Sequence, residues 1–229
     1  MVLLGFTSMI IQEFSFPEDA LHYFVGLGSL IITKLELDDI FNLIEIIQNR
    51  HEGVMLQFFN RKLILNYNHI FYACYHTLKT FHLKKNISNK MGIELLLYLA
   101  ANRQIKKAIE YYGITTQIIH QGTIDFCIVS RNNNLDIIRK DLLKETSAEE
   151  IDLDLAKSSY DKYERIKEYF GINKNQIKTV LESYRILIDD TRTNIRNIEN
   201  LYLAIEDLIC EKMVLLSLEK SRYELESAD

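Results

Sequence analysis

Residues that interrupt helices and strands are scarce throughout this chain. Its 229 residues include a single proline, Pro17, and eight glycines. Proline removes a backbone donor and glycine weakens the interior of helices and strands, so their scarcity permits long uninterrupted elements. Hydrophobic residues make up 48% of the chain, which is enough for a sizeable buried core. The sequence therefore predicts a globular protein in which long helices outnumber tight turns.

Hydrophobic periodicity divides the chain into strands and helices. Stretches rich in β-forming residues predict strands at Met1–Ile11, Ser29–Leu35 and Val54–Leu65, and a hairpin of Thr115–Ile119 with Thr123–Ser130. Helical spacing predicts helices at Asp19–Leu27, Ile40–Gln48, His69–Leu83 and Ile198–Leu218. A further helix is predicted to begin at Asn132. We therefore expect an α+β fold, with a small and mostly antiparallel sheet packed with several helices and a long C-terminal helix.

The domain organisation follows from the absence of a linker or a repeat. We expect one domain over residues 1–229. The run Lys174 to Asn197 is polar and has only weakly periodic apolar residues. This pattern indicates a helical hairpin inserted at residues 172–197.

The segment from Asn86 to Gly113 combines a helix start, an amphipathic pattern and a helix stop. Asn86 or Ser88 is a candidate N-cap, and Gly113 a candidate stop. Helical spacing assigns one buried stripe to this segment and leaves a polar face toward water. The predicted stripe contains Leu95, Leu96, Leu99, Ile105, Ala108, Ile109 and Tyr112, and the polar face contains Asn102, Arg103, Lys106 and Glu110.

The charge distribution argues for a small basic site on an otherwise acidic protein. The net charge is −5, which argues against a protein that coats nucleic acid over a large surface. The region from Lys79 to Lys107 departs from this average, since Glu94 is its only acidic residue. Its basic residues are Lys79, Lys84, Lys85, Lys90, Arg103, Lys106 and Lys107.

Several classes of protein are disfavoured by missing motifs. No phosphate-binding glycine loop, nucleophile elbow or convincing acid–base pair is present, so we expect neither an enzyme nor a small-molecule substrate or cofactor. No metal-binding motif occurs, and His69, His76 and His82 are spaced by seven and six residues rather than three or four. Cys74, Cys127 and Cys210 are predicted to be free thiols in a reducing cytoplasm. No stretch is apolar for long enough to cross a membrane, and the opening residues lack the features of a signal peptide.

Three segments, taken in order, resemble the PRPK-binding protein family, the small kinase-associated subunit of the KEOPS (EKC) complex. The first is His69-Ile-Phe-Tyr-Ala73. The second contains Asn86-x-Ser88, Glu94-Leu-Leu and Gln104-Ile-x-x-Ala-Ile-x-x-x-Gly113. The third is the C-terminal helix signature Leu208-Ile-Cys-Glu-Lys-Met-Val-Leu-Leu-Ser-Leu-Glu-Lys220. A Ser-Gly pair typical of the family is replaced here by Ala100-Ala101.

The resemblance implies a cytoplasmic, noncatalytic subunit that binds the small kinase/ATPase of the complex and the tRNA 3′ CCA end. It would support N6-threonylcarbamoyladenosine modification of tRNA. The richness in Asn, Ile and Lys suits an AT-rich archaeal genome. On this interpretation Ile209, Met213 and Leu216 contact the kinase, with internal packing as the alternative. The tRNA-binding candidates are His69, Asn86, Ser88, Lys90, Ala101, Asn102, Arg103, Gln104 and Lys106.

The tRNA-binding candidates are expected to contact different parts of the RNA. Lys90, Arg103 and Lys106 are candidate phosphate contacts, because phosphates require cationic donors. Asn86, Ser88, Asn102 and Gln104 could bond base edges or 2′-hydroxyls, and His69 or Tyr72 could stack on a base. Ala101 occupies the position where a small residue would let RNA approach the backbone. A generic helical adaptor without tRNA binding, dimerising through its last helix, is the alternative function.

Overall fold

The computed structural model describes residues 9–16, 21–155, 157–186 and 195–226, with the side chains of 195, 196 and 219–226 left aside. The strands are β1 (Ile10–Phe16), β2 (Leu21–Ile31), β3 (Met55–Phe59), β4 (Thr123–Ser130) and β5 (Glu149–Ile151). The helices are α1 (Leu37–Arg50), α2 (Tyr67–His82), α3 (Met91–Leu99), α4 (Ile105–Tyr112), α5 (Thr116–Ile119), α6 (Leu135–Thr146), α7 (Tyr160–Tyr169), α8 (Lys174–Ser183) and α9 (Ile195–Glu226). The predicted α+β class is confirmed.

The chain forms two compact units. The first contains residues up to Arg61 and Tyr112–Asp154, and the second contains Lys62–Tyr111 and the residues from Leu155 onward. The five strands of the described residues lie in the first unit and pair antiparallel, in the order β1-β2-β4-β3, with β5 also pairing with β2. The second unit is built from helices.

The core of the first unit lies between its sheet and the helices α1 and α6. Ile40, Leu43 and Ile47 are the buried positions of α1, at spacings that repeat on one helical face. They belong to one apolar cluster with Phe58 of β3 and Phe126 of β4. Gly28 of β2 makes this packing possible, because a Cβ there would lie 2.3 Å from Cζ of Phe126.

Two predicted elements of the first unit are wrong. The helix predicted at Asp19–Leu27 is the start of strand β2 from Leu21 onward, where Leu21 to Val25 pair with β1. The hairpin arm predicted at Thr115–Ile119 is the short helix α5, because the Thr115 side chain accepts a hydrogen bond from the backbone N–H of Ile118. Most of the strand predicted at Met1–Ile11 lies outside the described residues, as does Pro17.

In the second unit, α9 is the central helix. It packs against α2, α3, α7 and α8. Its buried side chains include Ile198, Tyr202, Ile205, Ile209 and Met213, which recur every three or four residues. The predicted C-terminal helix Ile198–Leu218 is thereby confirmed and is longer than predicted.

Within the predicted insertion, α8 covers Lys174–Ser183, and residues 187–194 lie outside the described part of the chain. The insertion and the single-domain organisation stay predictions. Cys74 and Cys127 are buried and Cys210 is only partly buried, and none of the three forms a disulfide bond within the described residues.

Candidate functional site

The segment from Asn86 to Gly113 is not one helix. It forms α3 and α4, separated by a break at Ala100–Gln104. The break follows a helix-stop geometry in which the N–H of Ala101 bonds the carbonyl of Tyr98 and the N–H of Asn102 bonds the carbonyl of Leu97, both at 3.0 Å. Ala101 has a φ of +41°, in the left-handed region where glycine is preferred.

The break also changes which residues face water. Ala108 and Tyr112 are buried as predicted, but Ile105 and Ile109 of α4 are exposed. Because α4 starts anew after the break, the buried stripe of α3 does not continue along it in the predicted register.

We predict that Ala101→Gly stabilises the protein by about 1 kcal/mol, because alanine in the left-handed region costs about 1–2 kcal/mol and glycine avoids this cost. The adjacent Ala100 has a φ of −79° and provides the matched control, since glycine there is expected to destabilise by about 0.5–1 kcal/mol. Urea unfolding of both variants measures the difference. Equal effects at the two positions would contradict this account of the turn.

The loop before α3 is held by the carboxyl group of Glu94, a completely buried residue. Its oxygens accept hydrogen bonds from the N–H of Ile87, at 3.0 and 3.1 Å, and of Ser88, at 2.7 Å. The hydroxyl of Thr80 lies 3.4 Å from the same carboxyl group. The sequence marks Glu94 as the lone acid of a basic segment, but it does not reveal that this carboxyl group is buried beneath the loop.

The predicted caps are wrong. The N-cap of α3 is Lys90, which makes no side-chain capping bond. The Asn86 side chain donates to the carbonyl of Ser88 at 3.0 Å, and the Ser88 hydroxyl accepts from the N–H of Lys90 at 3.2 Å. Both side chains therefore shape the loop, and Ser88 is buried.

The burial of Glu94 leaves the segment from Lys79 to Lys107 without an exposed acidic side chain. Exposed lysines occur in α2, in the loop and in α4. Such an arrangement favours anions, although its reach is limited to about 8–10 Å by physiological salt. The exposed lysines are Lys79, Lys84, Lys90, Lys106 and Lys107.

The polar candidates at the break have different environments. The side-chain oxygen of Asn102 accepts the N–H of Gln104 at 2.9 Å, which organises the start of α4. The side chain of Gln104 is exposed. Arg103 is partly buried, and its Nη1 atom is buried without a hydrogen-bond partner among the described residues.

His69 is buried and cannot stack on an incoming base in this structure. Its Nδ1 accepts the N–H of Leu65 at 3.2 Å, so its Nε2 carries the proton and donates to the carbonyl of Leu99 at 3.0 Å. Burial lowers the pKa of His69 to about 4. The residue therefore braces α2 against the end of α3 as a neutral side chain.

A second buried histidine connects α2, α3 and α9. The ring of His76 stacks on that of Tyr98 at a centroid distance of 5.4 Å. The hydroxyl of Ser217 lies 3.0 Å from the Tyr98 hydroxyl and 3.3 Å from Nδ1 of His76. Burial lowers the pKa of His76 to about 4 and raises the pKa of Tyr98. Sequence spacing carries no signal for this cluster, because its members come from separate helices.

The three kinase-contact candidates of α9 point inward. Ile209, Met213 and Leu216 are buried in the second unit, so their side chains are not on its surface. Among the described side chains of α9, the exposed large apolar ones are Leu203, Val214, Leu215 and Leu218. Leu203, Val214 and Leu218 share one face of the helix, because their spacings of 11 and 4 residues are close to whole turns.

Acidic and aromatic side chains border this exposed face. Asp207 accepts a hydrogen bond from the Tyr184 hydroxyl at 2.6 Å. Glu206 accepts from the side-chain amides of Asn66 and of Asn68, the latter at 2.7 Å. Burial raises the pKa of Tyr72, and the charges of Glu206 and Asp207 add to this shift.

The described residues contain neither a membrane-spanning helix nor a cluster of metal-binding side chains. None of the described helices has the length and apolar content needed to span a membrane. Within that same part of the chain, no group of three histidine, cysteine or acidic side chains could hold a metal ion.

Comparison with known proteins gives a family match. No curated protein matches the chain. The family described as "Kinase binding protein CGI-121" matches residues 38–217, which is well over half of the sequence. This range includes α2, the break between α3 and α4, and α9 as far as Ser217. The chain therefore belongs to the CGI-121 family of kinase binding proteins.

Proposed function

We propose that this protein is a noncatalytic subunit of the KEOPS/EKC complex, where it binds the small kinase/ATPase subunit and the tRNA 3′ CCA end. In this role it supports N6-threonylcarbamoyladenosine modification of tRNA. The observation that carries the proposal is membership of a family described as kinase binding proteins over residues 38–217. The KEOPS complex, the tRNA and the role in tRNA modification go beyond this description, and the resemblance described under Sequence analysis supports them.

The exposed face of α9 supports kinase binding. Val214 and Leu218 are 40% and 58% exposed, although the helix buries another face from Ile198 to Leu216. Neighbouring apolar side chains that a protein leaves in water are typical of a surface that a partner covers. We therefore assign the kinase contact to Leu203, Val214, Leu215 and Leu218 instead of the buried Ile209, Met213 and Leu216.

We predict that the double substitution Val214→Asp with Leu218→Asp weakens kinase binding at least about tenfold, because it places two charges in an apolar contact. The fold should persist, since both side chains are exposed in the free chain. Co-purification with the kinase and titration by calorimetry give the affinity. Ile137→Asp is the matched control, because Ile137 is equally exposed, at 58%, on α6 of the other unit.

The substituted residues must be exposed if the experiment is to report on kinase binding and not on folding. Met213 is completely buried, so Met213→Asp would unfold the protein and would not report on binding alone. Unchanged kinase affinity in the folded double variant would contradict the assignment of this face. A change of oligomeric state in the double variant would instead favour an adaptor that dimerises through α9.

The basic segment supports RNA binding. Lys90 and Lys106 are exposed and have no exposed acid within their segment. Gln104 offers an exposed amide at the break between α3 and α4, where it could bond a base edge. Ala101 leaves room close to the backbone, as only small side chains do. A basic patch of this size, on a chain of net charge −5, favours binding of the few phosphates at the end of one RNA strand.

A further inference from the structure

The outer sides of α1 and α6 form one surface of the first unit. The two helices pack against each other, and the buried positions of both belong to the apolar cluster that also contains sheet residues. Their opposite sides therefore point away from the sheet into water. Three large apolar side chains lie there, with exposed fractions of 53% for Phe41, 43% for Ile46 and 58% for Ile137. We call this surface the α1–α6 face, and it contains Asp38, Phe41, Glu45 and Ile46 of α1 with Ile137, Lys140 and Lys144 of α6.

The α1 side of this face is negatively charged. Asp38 and Glu45 are two helical turns apart and lie opposite the buried stripe of the helix. Neither carboxylate forms an ion pair within the described residues. Arg50, the only base of α1, is engaged by α6, because its Nη2 lies 2.7 Å from Oε1 of Glu145. Within the described chain, the exposed charges left unpaired on α1 are therefore acidic.

The α6 side of the face has the opposite charge. The acids of α6 all have basic partners in the chain, namely Arg139 for Asp136, Arg50 and His51 for Asp141, and Arg50 for Glu145. Lys140 and Lys144 follow Ile137 at spacings of three and seven residues, so all three lie on the outer side of the helix. Neither lysine forms an ion pair within the described residues. The charges that α6 leaves unpaired in this part of the chain are therefore cationic.

The unpaired charges of the two helices are complementary, but they do not meet within one copy of the chain. A twofold axis through the face would place α1 of each copy on α6 of the other, because a twofold contact uses the same patch on both copies. We propose that the α1–α6 face joins two copies of this chain in a homodimer, with Asp38 and Glu45 of one copy opposite Lys140 and Lys144 of the other. Ile46 and Ile137 are then covered by the second copy. This contact involves only the first unit and is independent of kinase and tRNA binding.

The strength of this dimer depends on charge and on size. Each copy has a net charge of −5, so two copies repel, but salt screens this repulsion beyond about 8–10 Å. Opposite charges that meet at about 4 Å attract each other and oppose the repulsion. The helices have 14 and 12 residues and are about 21 and 18 Å long at 1.5 Å per residue. Side by side they cover roughly 400 Å², which is small for a specific interface, so we expect weak, concentration-dependent association.

Charge reversal on each helix, followed by mixing of the two variants, tests this contact. Lys140→Glu with Lys144→Glu places acids opposite acids, and Asp38→Lys with Glu45→Lys places bases opposite bases. Each double variant alone should dimerise at least about tenfold more weakly than the wild type, because like charges then meet twice in each dimer. An equimolar mixture should form a heterodimer of wild-type affinity, since both of its α1–α6 contacts again join opposite charges. Sedimentation equilibrium of the full chain from about 10 to about 500 µM, a range chosen for a small interface, measures the dissociation constants.

The controls separate this contact from effects on folding and from a contact through α9. Lys174→Glu changes an exposed lysine of α8 in the second unit and should leave dimerisation unchanged. The substituted side chains are exposed, so the variants should fold, and urea unfolding checks this. Glu45→Lys alone is a second α1 variant, because Asp38→Lys opposes the helix dipole. The variant with Val214→Asp and Leu218→Asp should dimerise as the wild type does, and its failure to do so would place the contact on α9 and overturn the proposal.

Three further results would overturn the homodimer. The first is a wild type that stays monomeric at the highest concentration. The second is dimerisation that neither charge variant weakens. The third is a mixture of the folded charge variants that associates no better than either variant alone, since the charges of α1 would then not face those of α6.

Discussion

Replacing Glu94 with alanine is expected to lower the unfolding free energy by about 3–5 kcal/mol. The substitution leaves the N–H groups of Ile87 and Ser88 without their acceptor in a buried site, and each unpaired buried donor costs about 1–3 kcal/mol. A cavity in place of the side chain adds to the loss. Urea unfolding monitored by circular dichroism gives the magnitude, and faster hydrogen exchange at Ile87 and Ser88 gives the location.

Glu110→Ala is the matched control, because Glu110 is an exposed glutamate on α4 and should change stability by no more than about 0.5 kcal/mol. Glu94→Gln keeps one acceptor oxygen and should fall between the two. Similar stability of Glu94→Ala and the control would mean that the loop does not depend on this carboxyl group. The loop contains Lys84, Lys85 and Lys90, so its loosening should also weaken the proposed binding of tRNA.

The second large effect is a loss of stability in acid. The pKa values of His69 and His76 are both lowered to about 4, from an unfolded value near 6.5. The fold therefore binds fewer protons than the unfolded chain between these pH values, and the stabilisation present above pH 6.5 is lost as pH falls toward 4. The loss amounts to roughly 3 kcal/mol for His69. It is smaller for His76, which is slightly more exposed.

Urea unfolding at pH 7, 6, 5 and 4 measures this dependence. His69→Gln should be less stable than the wild type at pH 7, because it loses the bonds to Leu65 and Leu99, but should show a shallower pH dependence. His120→Gln, at an exposed position, is the control. A pH dependence of His69→Gln as steep as that of the wild type would show that His69 is not the group responsible.

Much of the fold could be predicted from local pattern. α1 and α2 follow from apolar residues at helical spacing, and Asn66 caps α2 by accepting the N–H of His69. The prediction from local pattern is wrong where pairing with neighbouring strands determines the secondary structure. Residues 21–27 carry a pattern compatible with a helix, but β1 and β4 lie on either side of them and supply the hydrogen bonds of a sheet.

The candidate site likewise has features that the sequence reveals and features that it does not. The excess of basic residues between Lys79 and Lys107 is visible in the sequence. The break at Ala100–Gln104 is not, because alanine is the best helix former and rarely adopts a positive φ. The sequence also leaves open which side of α9 is buried, since a helix with apolar residues on several faces does not reveal which face its own core covers.

By itself, the sequence determined the α+β class, the long final helix, the basic segment and the family. These depend on periodicity, composition and ordered motifs, which are properties of neighbouring residues along the chain. Only the tertiary structure decided that Glu94 lies beneath the basic loop and that His69 is neutral and buried. It also decided that one donor of Arg103 has no acceptor among the described residues. These outcomes depend on which groups desolvate one another across separate helices, and that information arises only when the helices pack.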